Sequence, residues 1–207
     1  MTARLLDPLQ SRGIRPQRED LFVKAVSVQG GESDIGGETT AFARIAMTGV
    51  GLSSSATSTQ APKRQEIAVL TLEEAEDLAA QLGELLNFME RSNPTPAPPA
   101  MGLWAWRSDP PLDDDLLVAQ ASAGATAIRA AGQVIPTVRV EFTGTSVHGL
   151  TSDNPPVRVQ RAVFSGQRQV QVLISSLKKV VRSALEQRRI DIYVPTDQSV
   201  PALHLIC

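Results

Sequence analysis

Between Gln65 and Arg91 a short apolar run meets a long amphipathic period, and the join between them constrains the fold more than any other stretch of the chain. Ile67-Ala68-Val69-Leu70 has the length and composition of a buried strand. Thr71 follows, with Glu74 three residues on, which is the spacing of a capping box. In that motif the threonine hydroxyl accepts the Glu74 amide while the Glu74 carboxylate accepts the Thr71 amide, and Glu73 adds favourable charge at the helix start. Leu72, Ala75, Ala79, Leu82, Leu86 and Met89 then step by three and four, whereas Glu73, Glu76, Asp77, Glu84 and Asn87 fall largely opposite. The pattern predicts a strand running directly into a helix that covers something with one face. Gly83 interrupts that helix at about 1 kcal/mol relative to alanine, so it marks either a close neighbour or a tolerated weakness.

A helix of this kind needs a sheet beneath it, and the flanking sequence supplies candidates. Residues 1–18, with Pro8 and Pro16, read as a tail. Phe22 to Val28 reads as a first strand. The Gly30–Thr40 stretch, with Glu32, Asp34 and Glu38, reads as a loop without the spacing of a calcium site. Phe42 to Leu52 reads as a second strand, and the Ser/Thr-rich segment after it as a loop. Gly49-Val50-Gly51 lacks the helix start that a phosphate-binding turn requires behind it.

After the anchor helix, Asn93 to Ala100 is proline-rich and cannot stay helical, so residues 93–111 read as a linker. It carries Trp104, Trp106 and Arg107, candidate partner-binding residues because tryptophan and arginine dominate interface hot spots. Asp113-Asp114-Asp115 followed by an alanine-rich run to Gly132 predicts a helix. Thr137 to Phe142 alternates and predicts a strand, and residues 143–156 read as a loop. Residues 157–164 and 169–174 read as a hairpin, with a helix beginning at Gln169 as the competing pattern. Ser175 or Ser176 then caps a basic helix over 176–188. Ile190 to Val194 reads as a strand, and Leu203-His204-Leu205-Ile206 as another.

Arg44-Ile45-Ala46-Met47-Thr48-Gly49 echoes Arg139-Val140-Glu141-Phe142-Thr143-Gly144, and each is followed by a loop, a strand and a helix. The expected fold class is therefore α+β: two antiparallel sheet-plus-helix units of β-β-β-α type, an internal duplication joined by the proline-rich linker. The units are placed at 19–92 and 112–207, the second opening with the alanine-rich helix.

Composition narrows function mainly by exclusion. No apolar run approaches the roughly 18 residues that span a bilayer, and MTARLLDPLQ lacks a signal-peptide core, so a cytoplasmic protein without a membrane partner is expected. A single cysteine, Cys207, excludes internal disulfide pairs and a cysteine zinc site. No metal or cofactor motif is present, and no catalytic residue stands out. Ser146, His148 and Asp153 lie close in sequence but lack the nucleophile elbow, so a hydrolase is the third-ranked reading. The first 92 residues carry a net charge of −4 and residues 136–207 carry +4, which suits docking of opposite surfaces. The leading expectation is a non-enzymatic binding or assembly protein acting through protein association or self-association. The alternative is single-stranded nucleic-acid binding by the basic last third, through Arg158, Arg161, Arg168, Lys178, Lys179 and Arg182.

Overall fold

The computed structural model describes residues 20–35, 38–51, 63–92, 104–106, 114–130, 133–147 and 156–193. Their order is β1 (Leu21–Ile35), β2 (Glu38–Gly51), β3 (Lys63–Thr71), α1 (Leu72–Ser92), β4 (Trp104–Trp106), β5 (Leu116–Ala130), β6 (Gln133–Ser146), β7 (Arg158–Phe164) and α2 (Gln167–Tyr193). The described residues thus form a mixed α+β fold with two helices. Strands from both halves belong to one sheet rather than to two, in the order β2-β3-β5-β6-β7-β1-β4. Because β1 also pairs with β2, the six long strands return on themselves, and β4 is added at the outer edge of β1. No helix among the described residues is long and apolar enough to cross a membrane.

Within each half the strands pair antiparallel; between halves they pair parallel and briefly. Ala68 and Val69 of β3 face Leu116 and Leu117 of β5, and Leu21 and Phe22 of β1 face Ala162 and Val163 of β7. Alternation drives one face of every strand inward. Ala43, Ile45 and Met47 of β2 are fully buried, as are Val138, Val140 and Phe142 of β6. They share a core with Ala75, Leu78, Ala79 and Leu82 of α1 and with Val170, Leu173, Leu177 and Val180 of α2. Each fully buried leucine in this set contributes about 1.5–3 kcal/mol of transfer free energy.

Two β-bulges tighten the ring where the halves meet. The register shifts between Val23 and Ala25 of β1, and between Val118 and Gln120 of β5. Opposite these shifts sit Gly49 and Gly144, where a Cβ would collide with the carbonyl oxygens of Phe22 and Leu117 respectively. Only glycine lets those backbones approach so closely.

Four sequence expectations are corrected. The stretch expected as an alanine-rich helix toward Gly132 is strand β5, paired along its whole length with β6. Alanine's helix propensity amounts to tenths of a kcal/mol per residue, and a full ladder outweighs it. The 169–174 strand is instead the start of α2, which begins at Gln167 and not at Ser175 or Ser176. Val170, Leu173, Ile174 and Leu177 are all buried on one helical face, and the Gln169 and Val170 amides donate to the Gly166 carbonyl. The same helix runs on through Ile190 to Tyr193, where a strand was expected. Finally, Gly30 to Ile35 and Glu38 to Thr40 are strand rather than loop: β1 and β2 pair from Leu21 with Gly51 up to Ile35 with Glu38. The proline-rich residues 93–100 and the terminal residues 203–206 lie outside the described residues.

Candidate functional site

The strands β1 and β5, which open the two halves, each pair with one neighbour throughout, whereas β7 reaches β1 and β3 reaches β5 only at their first residues. Beyond the bulges their outward edges are bare of β7 and β3, and main-chain polar groups there need other partners. On β5, helix α1 supplies them. The Ala121 amide donates to Glu74 Oε2 at 2.9 Å, and the Ala123 amide donates to Gln81 Oε1 at 2.8 Å. Glu74 and Gln81 are seven residues apart, two helical turns, so one helix face reads successive outward amides of the strand.

This alters the expected cap. The Glu74 amide does donate to Thr71 Oγ1 at 3.2 Å, which is half of a capping box. The reciprocal half is replaced, because the Glu74 carboxylate reaches across to β5. The motif's spacing located the helix start, but a partner 47 residues away is invisible to spacing.

On β1, helix α2 makes the corresponding approach: Gln169 Nε2 donates to the Val23 and Lys24 carbonyls at 3.3 and 3.2 Å. Further along, the edge of β1 carries a strand. Trp104, Ala105 and Trp106 of β4 pair parallel with Val28, Gln29 and Gly30. The corresponding stretch of β5, Ala123 to Ala125, has no paired strand among the described residues.

Beside the start of β5 an open groove of about 160 Å³ is lined by Thr40, Phe42, Val69, Thr71 and Leu117. Its floor is apolar. Arg44, which pairs across the ladder with Val69, holds the Asp115 carboxylate through Nε at 2.9 Å and Nη2 at 3.4 Å. At the other junction Arg139 Nε lies 3.4 Å from Asp20 Oδ2. Both aspartates are buried, at 3% and 0% exposure, so these pairs act as charged rivets between the halves. Asp115 was legible only as part of an acidic run suited to a helix start.

The basic candidates do not form one cluster that a single ion pair or contact defines. Arg158 is exposed at the start of β7, while Arg161 donates through Nε to Glu141 Oε2 at 2.8 Å. Arg168 is exposed in the first turn of α2, and Lys178, Lys179 and Arg182 are exposed further along it. Of the partner-binding candidates, Trp104 and Trp106 are the end residues of β4, and Arg107 lies outside the described residues. His148 and Asp153 also lie outside them, and Ser146 closes β6.

One carboxyl is electrostatically perturbed. Burial raises the pKa of Glu66 above its ordinary value, opposed by the adjacent Arg64 guanidinium, whose Nη2 donates to Glu66 Oε1 at 2.6 Å, and reinforced by the Asp20 charge. Among the described residues no group of three or more histidine, cysteine, aspartate or glutamate side chains could hold a metal ion. The chain matches no protein-family model, no curated protein and no solved structure.

Proposed function

We propose that this is a non-enzymatic binding and assembly protein that associates with protein partners by strand addition at its sheet edges. The observation that carries the reading is the difference between the two corresponding edges: β1 bears an added parallel strand at Val28–Gly30, and β5 bears none among the described residues at Ala123–Ala125. An outward edge offers a ladder of amides and carbonyls with affinity for any extended chain, and side-chain pockets beside it give selectivity. The groove formed by Phe42, Val69 and Leu117 lies beside the start of the same strand.

In this reading the two halves descend from one β-β-β-α unit, joined by the linker over 93–111. Support comes from positions that recur at a spacing of 95 residues: Asp20 and Asp115, Arg44 and Arg139, Gly49 and Gly144. Arg44 pairs with Asp115 and Arg139 with Asp20, each across a junction between the halves, and Gly49 and Gly144 each face a close main-chain carbonyl.

Ala125→Pro tests the function. Proline cannot donate to an added strand, so self-association measured by sedimentation, or capture of a partner, falls while β5–β6 pairing persists by circular dichroism. Retained association would overturn the reading. The second reading, single-stranded nucleic-acid binding, is favoured by Lys178 and Arg182 standing exposed one turn apart on α2. Replacing Lys178, Lys179 and Arg182 by alanine would then flatten the salt dependence by about 0.7–0.9 in log-log slope per lost phosphate contact.

A further inference from the structure

The two helices bury corresponding faces and carry opposite charge on the faces they expose. Leu78 and Leu82 of α1 recur at the spacing of 95 residues as Leu173 and Leu177 of α2, and all four are fully buried. At the same spacing the exposed Glu73 of α1 corresponds to the exposed Arg168 of α2, and Glu84 to Lys179. Helix α1 has no lysine or arginine before Arg91. On α2 the exposed charges from Arg168 to Arg182 are all basic, and Glu186 is the first acid. The helices pack against each other and bury their other faces in one core, so an acidic stripe and a basic stripe lie side by side on the surface.

Neither stripe is arranged to serve its own helix. Like charges one turn apart repel, and Glu73 with Asp77, or Lys178 with Arg182, is such a pair. Each stripe instead fits the other run in the opposite direction. Both pairs are spaced by four residues, a rise of about 6 Å. An antiparallel α1 and α2 therefore set Glu73 against Arg182 and Asp77 against Lys178, and the same register sets Glu76 against Lys179 and the small Ala80 against Ser175. A parallel register that pairs Glu73 with Lys178 and Asp77 with Arg182 sets Glu76 against the buried Val181 instead. In one chain both stripes face solvent. A twofold axis between two chains lets them meet twice, α1 on α2 and α2 on α1, and closes the assembly at a dimer.

We infer that the exposed faces of α1 and α2 together form the docking surface for a second copy of this chain, with α1 of each copy antiparallel on α2 of the other and the register set by these complementary charges. This goes beyond strand addition and does not depend on it. No sheet edge takes part, so Ala125→Pro leaves this dimer intact, and at high salt, where the dimer dissociates, association through an edge is measured alone.

Sedimentation equilibrium of the full chain is expected to show a dimer at about 0.1 M salt. Its dissociation constant should rise on the order of a hundredfold toward about 1 M, as the screening length falls from roughly 10 Å to 3 Å. Glu73→Lys with Asp77→Lys, and separately Lys178→Glu with Arg182→Glu, make two of the three charge pairs at each contact repulsive and should each abolish the dimer. Mixed one to one, the two variants should form a heterodimer, because the reversed α1 of one then faces the reversed α2 of the other. A chain carrying all four substitutions should dimerise with itself. A surface whose charges only keep it soluble, or only hold phosphates, predicts neither recovery. A parent that is monomeric at about 0.1 M salt, a dimer indifferent to both reversals, or a mixture that stays monomeric while each variant is folded by circular dichroism overturns the inference. Loss of single-strand binding on Lys178→Glu with Arg182→Glu, without recovery in the mixture, gives the face to nucleic acid instead. Where a reversed variant does not fold, Glu73→Gln with Asp77→Asn, or Lys178→Gln with Arg182→Gln, takes its place. The dimer should then weaken about tenfold and lose most of its salt dependence, and an unchanged salt dependence overturns the inference.

Discussion

Arg44 and Asp115 stand 71 residues apart in sequence and 2.9 Å apart in space, joining the second strand of one half to the entrance of the first strand of the other. Asp115 is 3% exposed and Arg44 17%, so both charges are largely withdrawn from water. Removing one partner strands the other. Arg44→Met is therefore expected to destabilise the protein by about 3 kcal/mol, whereas Arg44→Met combined with Asp115→Leu should recover much of that loss. Urea denaturation midpoints of the two single variants and the double variant check this. Additive losses in the double variant would show that the two residues do not act as a pair.

Gly49 and Gly144 face the bulges from β2 and β6. A Cβ at either would press on a main-chain carbonyl, at Phe22 or Leu117, which cannot rotate away as a side chain could. Gly49→Ala and Gly144→Ala should each cost about 3 kcal/mol or more, at the upper end of overpacking effects. Gly124, in the same sheet, has open space where its Cβ would sit. Gly124→Ala should be neutral or stabilising by about 0.5–1 kcal/mol. Thermal melts of the three variants are sufficient, and a Gly144→Ala protein as stable as Gly124→Ala would refute the close approach.

What the sequence disclosed was local and periodic. The junction at Thr71 was readable because strand, cap and helix signals follow one another without a gap, and the helix face containing Ala75, Ala79 and Leu82 is buried. The echo between Arg44–Gly49 and Arg139–Gly144 picked out the arginines of both buried ion pairs and both tightly packed glycines. Hidden features depend on distant chain. Strand β5 reads as a helix because a bulge after Val118 breaks its alternation and alanine carries no strand preference; only the β6 ladder decides. The edge contacts of Glu74 and Gln81 with β5 leave no spacing signature, since each depends on how a helix is laid across a strand more than 40 residues away.

Gly83 resolves a choice that the sequence posed. Nothing lies within 4 Å of where its Cβ would stand, so no neighbour requires the glycine. Gly83→Ala should therefore stabilise α1 and the whole protein by about 1 kcal/mol, through the entropy of the unfolded chain and better helix propensity. A lowered denaturation midpoint would reveal a partner at this face of α1.

Glu66 gives a pH dependence whose sign can be worked out. It faces Met47 across the β2–β3 ladder, and in the other half Gln160 faces Phe142 across β6–β7, so a neutral amide occupies the corresponding place. Burial holds the Glu66 carboxyl above its ordinary value, and Arg64 only partly offsets this. Because the folded pKa is raised, the folded chain binds more protons than the unfolded chain between the ordinary value of 4.5 and the raised one. Stability therefore falls as pH rises through that window, and the loss is complete above it. Glu66→Gln removes the ionisation while keeping an oxygen for the Arg64 contact. The variant should unfold at higher urea concentration than the parent near pH 7 and at nearly the same concentration near pH 4. A variant less stable than the parent near pH 7 would mean that the 2.6 Å contact with Arg64 outweighs the burial of the charge.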